Sequence, residues 1–305
     1  MKYTIIPFSE QLYLIGLEPP IPGFGNFISA WVYKGKQTFI VDVGPKVTSG
    51  LLLKALEALG VSKLDYIFLT HIHIDHAGGL GDLATRFSHT PIICHEDGIP
   101  HLVSPERLYE GSVKTLGKTA EIYGPITPVS ENRFIPAQNF TESDILPVLT
   151  PGHAPHHVSY VKDRLLFAGE AGGVCLSEND NFEYLRPATP PRFFLETYVK
   201  SIDALIDIRP ETICYGHFGL KKNGLSMLKK NRAQLFMWRD MISRNIKEDD
   251  FDKDRYGGLT RLLLENDPCL NGFSNFNEAV KERERGFIKN AIMGFEGYLK
   301  NPLTR

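Results

Sequence analysis

The spacing of apolar positions changes along the chain. Short runs rich in β-branched and aromatic residues predict strands at Leu12 to Leu17, Phe27 to Tyr33 and Gln37 to Val43. They are separated by Pro19, Pro20, Pro22, Gly23 and Gly25, and closed by Gly44 and Pro45. Leu51, Leu52, Ala55, Leu56 and Leu59 then recur at three and four residues, which puts one apolar stripe on a helix over Thr48 to Leu59, and Gly60 ends it. Tyr66 to Thr70 predicts a strand, Gly78 to Phe87 a helix and Thr90 to Cys94 a further strand. Strand, helix, strand in this order needs crossover connections, and therefore parallel pairs in a mixed sheet.

Between Glu96 and Phe140 the strand rhythm stops. Pro105 to Tyr123 reads as helical, and Pro125, Pro128 and Pro136 then mark a long loop. An ordered insertion of this kind predicts a lid over a site. Strands resume at Ile145 to Leu149, Val158 to Lys162 and Leu165 to Ala168, followed by a helix over Arg192 to Ile208 and a last strand at Thr212 to Tyr215. After Gly219 no strand is predicted, and Leu225 to Ile246, Tyr256 to Glu265 and Asn277 to Lys300 read as helices. The expected organisation is a domain over 1–220, with a partly helical insertion at about 96–140, and a helical C-terminal subdomain over 221–305.

Composition narrows the partners. In 305 residues, 42% are hydrophobic and 23% charged, the balance of a folded globular protein. The net charge of −2, from 34 Lys plus Arg against 36 Asp plus Glu, provides no field favouring a polyanion, so no nucleic acid is expected. Cys94, Cys175, Cys214 and Cys269 lack CxxC spacing and read as free thiols in a reducing compartment. Met1 to Ile15 does not resemble a secretory signal, and no apolar run approaches the ~18 residues of a membrane helix. A cytoplasmic location, no membrane partner and a small-molecule substrate are expected, while a homodimer stays open.

The chemistry concentrates in Thr70-His71-Ile72-His73-Ile74-Asp75-His76-Ala77-Gly78-Gly79. In an extended segment alternate side chains share a face, so His71 and His73 point together while Ile72 and Ile74 point into the core. Asp75 and His76 then project from the turn into the next helix and reach a second ion. Imidazole beside carboxylate suits a transition metal rather than calcium or magnesium. Three further pieces each place a donor after a strand, the edge where α/β sites assemble. They are His153 in Thr150-Pro151-Gly152-His153, Glu170 after Phe167-Ala168-Gly169, and His217 in Tyr215-Gly216-His217.

The set HxHxDH, Pro-Gly-His, an acidic residue after Gly, and Gly-His resembles the metallo-β-lactamase superfamily in order, spacing and strand context, over roughly residues 10 to 220. The resemblance implies an α/β, four-layer αββα sandwich, with the site at one edge of two facing sheets and the helical subdomain after it. It implies two divalent transition-metal ions, zinc in first place, with iron or manganese as alternatives. His71, His73 and His153 would hold the first ion, and Asp75, His76 and His217 the second. Asp42, near Gly44, resembles the family aspartate that supports the ligands from behind. The family usually has aspartate where Glu170 stands, so bridging geometry and metal identity are open there. His95, His156 and His157 read as packed or supporting residues, and His89 and His101 as surface residues.

Two ions sharing a water bring its pKa down toward about 7, so hydroxide is available at neutral pH, with Asp75 orienting it. Hydrolysis of a thioester, lactone or other activated ester is the leading expectation, as in the glyoxalase II-like branch. A non-haem iron oxidoreductase resembling persulfide dioxygenases is the alternative, and a nuclease is less favoured because neither a large inserted domain nor a basic exosite is evident. Lys221, Lys222, Lys229, Lys230 and Arg232 read as a solvated basic face. The insertion and the tail, through Trp238, Tyr256 or Phe273, are expected to wall the substrate pocket.

Overall fold

Seven strands lie side by side in chain order in the first sheet of the computed structural model, which describes residues 1–176, 184–246 and 254–300. The chain groups into two units, one of Met1–Leu149, His156–Asp163 and Gly216–Phe218, the other of Thr150–Pro155, Arg164–Tyr215 and Gly219–Arg305. This is a spatial grouping, whereas the boundary at 220 is a change of pattern along the chain.

In the first unit, β1 (Tyr3–Pro7), β2 (Leu12–Leu17), β3 (Ser29–Lys34) and β4 (Thr38–Val41) form an antiparallel meander. The helix α1 (Ser49–Ala58) crosses to β5 (Tyr66–Phe68), which pairs parallel with β4. Two helices, α2 (Ile74–Ala77) and α3 (Leu80–Arg86), lead to β6 (Ile92–Cys94), again parallel. Of these central strands, β5 and β6 are apolar throughout because both faces are buried.

The segment expected as a strand-free insertion is instead a crossover. It runs through α4 (Ile99–Val103), α5 (Glu106–Leu116) and α6 (Lys118–Tyr123) to β7 (Phe134–Pro136), which pairs parallel with β6 at the sheet edge. Pro136 hides this strand from a pattern reading, yet proline is tolerated at an edge, where no further ladder bond is needed. Gly117, at φ +54, breaks the expected single helix in two. Arg133 seats the crossover by donating to the carbonyls of Ala84, Phe87 and Thr90.

The hairpin of β8 (Ile145–Leu149) and β9 (Val158–Lys162) pins the segment that matters most. The amide of Val158 donates to the Thr70 carbonyl at 2.7 Å. The buried hydroxyl of Tyr160 lies within donating distance of the carbonyls of Leu69, at 2.8 Å, and Ile93, at 3.1 Å. The chain leaving β5 is thereby fixed just before its histidines.

In the second unit, β10 (Leu165–Gly169) ends at the candidate carboxylate, and the strands β11 (Val174–Leu176) and β12 (Tyr184–Arg186) form a small antiparallel pair. The helix α7 (Leu195–Ile208) crosses to β13 (Thr212–Tyr215), parallel with β10. A short strand, β14 (Leu220–Lys222), follows on β13, so strands do not end at Gly219. Leu-Lys-Lys carries no apolar alternation, and only the backbone pairing reveals it. The tail is α8 (Gly224–Asn245), α9 (Arg255–Asn266) and α10 (Glu278–Lys300).

Its core contains Leu235 and Trp238 of α8, Leu263 of α9 and Ile292 and Phe295 of α10. Trp238, expected as a candidate pocket wall, is fully buried and donates its indole N–H to Asp267 at 2.7 Å. Its large apolar ring is used in holding the tail together. A buried charge cluster joins α10 to β12: Glu284 accepts from Arg186 at 2.6 Å, from Tyr184 at 2.9 Å and from Arg283 at 2.9 Å.

Candidate metal centre

Past β5 the chain bends at Thr70, forms no regular element through His73, whose own backbone is extended at φ −58 and ψ 146, and then turns into α2. Ile72 and Ile74 are buried in the core and His71 is buried beside them, while His73 is half-buried. The rings of His71 and His73 lie 4.6 Å apart, and those of His71 and His76 4.2 Å apart. One donor atom each from Asp75, His76 and His217 all lie within 4.8 Å of one another. The Nε2 atoms of His76 and His217 are both 3.8 Å from Asp75 Oδ2.

Glycines bring these pieces into reach. A Cβ on Gly78 would meet the Ile74 carbonyl oxygen at 2.3 Å and the Lys46 nitrogen at 2.9 Å, so only glycine lets α2 approach the turn after β4 this closely. Across that approach Val43 N donates to the His76 carbonyl and Gly79 N to the Gly44 carbonyl, each at 2.8 Å. Asp42 sits in the same turn at φ +59, a left-handed conformation that Asp tolerates better than most residues. Its buried carboxylate accepts the Thr70 amide at 2.8 Å and His76 Nδ1 at 3.0 Å. This is the supporting position expected of Asp42.

His217 is held by a residue that no sequence motif marks. The Phe27 ring stacks on its imidazole at 4.0 Å and 10°, and the Phe27 carbonyl lies 3.4 Å from His217 Nδ1. The two segments are locked by a bridge between Ile28 and His217 and by Phe218 N donating to the Phe27 carbonyl. Nothing local singles out Phe27, since its partner is far away in the chain.

The second unit carries the other two candidates. His153 Nδ1 donates to the Ala188 carbonyl at 2.7 Å, and its Nε2 lies 2.8 Å from Glu170 Oε2. Glu170 is buried and follows Gly169, whose φ of +55 turns the chain at the end of β10. Tyr198 on α7 donates its hydroxyl to the Glu170 carbonyl at 2.5 Å, and burial pushes that phenol up, so it stays a donor. Ser201 donates to the Pro151 carbonyl at 2.6 Å. A Cβ on Gly152 would sit 2.9 Å from the Tyr198 Cα. Backbone and α7 together fix this loop.

The remaining histidines sort as expected. The rings of His157 and His156 lie against His71, at 5.2 Å, and His73, at 6.1 Å. His95 accepts the Asp97 amide and caps a short helical turn, and His89 and His101 are exposed. All four cysteines are thiols, and burial raises Cys94 to about 12 and lifts Cys214 well above the ordinary thiol value, which keeps both protonated and unreactive.

The donor set fits divalent metal. The partners of Nδ1 in His76, His153 and His217 are a carboxylate and two carbonyls, groups that only accept. Each ring therefore carries a proton on Nδ1, which leaves Nε2 as the nitrogen turned toward a ligand, next to Asp75 in the first unit and Glu170 in the second. Nε2 atoms set against carboxylates need a cation between them, a metal ion or a second ring proton, and imidazole held from behind by an acceptor is the usual arrangement around a protein-bound transition ion.

Similarity to known proteins agrees. The metallo-β-lactamase superfamily profile matches residues 23–217. A metallo-β-lactamase fold-containing protein of Sulfurisphaera tokodaii is 30% identical over 218 residues, 65% of this chain and 81% of its own length. The "Probable metallo-hydrolase YybB" of Bacillus subtilis is 32% identical over 217 residues, 68% of this chain and 88% of its own length. Hydroxyacylglutathione hydrolase of Yersinia pestis is 29% identical over 151 residues, 49% of each chain. An archaeal metallo-β-lactamase superfamily structure from Sulfolobus tokodaii matches with TM-score 0.68 at 22% identity, covering 95% of this chain and 99% of that one. A metallo-β-lactamase family structure from Thermus thermophilus matches with TM-score 0.65 at 19% identity, covering 97% and 95%. Mixed α/β sheets, a helical C-terminal region and these matches establish the αββα fold that the motifs implied, and the chain belongs to the metallo-β-lactamase superfamily.

Proposed function

We propose that this protein is a metal-dependent hydrolase of a thioester, lactone or other ester-like bond in a small molecule. In this reading His71, His73 and His153 hold one divalent ion, Asp75, His76 and His217 hold a second, and Glu170 is the remaining carboxylate ligand. The observation that carries it is the fixed orientation of His76, His153 and His217, each ring held from behind at Nδ1 by an acceptor so that Nε2 faces a carboxylate. The order of donors along the chain, shared with the superfamily, supports this assignment.

When bound, a pair of divalent ions supplies hydroxide at neutral pH and polarises the acyl oxygen. The chain's own residues supply orientation. Asp75, half-buried and close to both His76 and His217, accepts the hydrogen bond that aims the attacking oxygen. Asp42 and the carbonyls of Phe27 and Ala188 keep imidazoles from turning, so little reorganisation is needed as charge develops on the acyl oxygen. The hydroxyacylglutathione hydrolase relative, by its name, supports the ester-like class, and the metallo-hydrolase relative supports hydrolysis.

The test is metal analysis followed by assay of the zinc-, iron- and manganese-loaded protein on a thioester, a lactone, a phosphodiester and a β-lactam. Hydrolysis of the first or second, lost on chelation and restored by metal, is the expected result. Silence on all four overturns the reading, and one iron per chain with oxygen uptake replaces it with an oxidoreductase.

A further inference from the structure

We infer that Thr70 is a positioning residue. Its hydroxyl passes the orienting effect of Asp42 on to His71, so that one buried carboxylate sets two imidazoles, His76 directly and His71 through Thr70. This rests on the reading of His71 and His76 as metal donors, but the hydrogen-bond chain itself does not depend on it.

Counting protons fixes the direction of each bond. The Thr70 Oγ1 lies 2.8 Å from Asp42 Oδ2, 3.1 Å from Asp42 Oδ1 and 3.0 Å from His71 Nδ1. A hydroxyl has one hydrogen to give and two lone pairs to offer, whereas a carboxylate only accepts. The Thr70 hydrogen therefore goes to Asp42, and toward His71 the same oxygen presents a lone pair. His71 Nδ1 must donate to it, which leaves the Nε2 lone pair for a cation. The opposite arrangement, with the hydroxyl donating to Nδ1, would set an oxygen lone pair against the carboxylate at 2.8 Å inside the core. Asp42, Thr70 and His71 are all buried, so no solvent relieves that clash.

The surroundings hold the relay still. The Thr70 amide donates to Asp42, and its carbonyl accepts from Val158. The backbone on both sides of the side chain is thus tied, and only the hydroxyl's bond is left to determine. The His157 ring lies stacked on His71 at 5.2 Å and 29°, which limits rotation of the imidazole plane. Thr70 directly precedes the HxHxDH segment, and its neighbour His71 and the more distant His76 are thereby controlled from one point, Asp42.

The measurement is the ring-nitrogen NMR spectrum of His71 and His76 in metal-free protein, for the wild type, Thr70→Ser, Thr70→Val and Thr70→Ala. Two variants lack the hydroxyl, so a folding failure of either leaves the other to decide. In the wild type both rings are expected with the proton on Nδ1. Serine keeps this pattern, while valine and alanine move the His71 proton partly to Nε2 and leave His76 unchanged. On metal titration, the variants without the hydroxyl are expected to lose about 10- to 100-fold in affinity for one ion and to keep the other, with serine restoring the loss. An unaltered His71 spectrum in the valine and alanine proteins overturns the inference, as does a serine protein as defective as valine. If the wild type binds no transition metal, the hydrolase reading fails, and the ring spectra still decide the role of Thr70.

Discussion

The two units orient their candidate donor side chains by different means. In the first, Asp42 holds His76 directly and contacts Thr70, whose hydroxyl meets His71, so a single side chain governs two of the imidazoles, while His217 rests on the Phe27 carbonyl. In the second, His153 is aimed by the Ala188 carbonyl, and the carbonyl of Glu170 is anchored by Tyr198. A side-chain acceptor is removed by one substitution, whereas a backbone carbonyl survives any substitution at its residue. The first unit is therefore open to local mutational damage. The second fails only when its framework moves.

The largest expected effect strikes that framework. Glu284→Leu strands the buried guanidinium groups of Arg186 and Arg283 and removes the acceptor of Tyr184, which costs about 3–5 kcal/mol. Trp31 belongs to the first unit and Trp238 to the second. Urea unfolding of a Trp31→Phe background followed by fluorescence reads the second unit alone, and loss of stability there is the expected outcome.

Acid provides a milder version of the same lesion. Burial alone would raise the Glu284 carboxyl, but Arg186 and Arg283, together with hydrogen bonds from Arg186 and Tyr184, outweigh it and hold the group below its ordinary 4.5. A carboxyl depressed in the folded state contributes stability above its unfolded value, and that contribution is lost as pH falls through the folded value. Unfolding of the second unit on acidification below 4.5 is expected. The Glu284→Leu protein should lack this part of the acid dependence.

Next comes the first unit's controlling carboxylate. Asp42→Asn keeps a residue that tolerates the positive φ but replaces one acceptor oxygen with a donor group, leaving a buried polar group mispaired at a cost of about 1–3 kcal/mol. Metal affinity should fall about 10- to 100-fold, measured by competition with a chromophoric chelator. Gly152→Ala tests the second unit's backbone route, since the added Cβ would press on Tyr198 and displace the loop bearing His153. A loss of about 1–3 kcal/mol, with weakened metal binding, is expected in thermal unfolding and the same chelator assay.

The smallest effect is the sharpest for the comparison. Ala188→Gly costs about 1 kcal/mol of stability and leaves metal affinity within about twofold, because the carbonyl that aims His153 remains. An affinity loss as large as that of Asp42→Asn would show that the two units are not different in kind.

Sequence alone singled out the candidate donors because each of them is announced locally. His71 and His73 alternate with Ile72 and Ile74 on an extended segment, and that alternation is a property of the backbone. His153, Glu170 and His217 each follow a recognisable apolar strand, and Asp42 ends one. The parallel pairing of β4, β5 and β6 followed from the order of strand and helix. Tertiary structure alone decided what stands behind these candidates, because those partners are chosen by approach in space across many residues of chain: Phe27 on His217 and Ala188 behind His153. It also decided that Trp238 is core, and that Phe134–Pro136 and Leu220–Lys222 are strands, since an edge pairing depends on a neighbour's backbone rather than on the pattern of the segment itself.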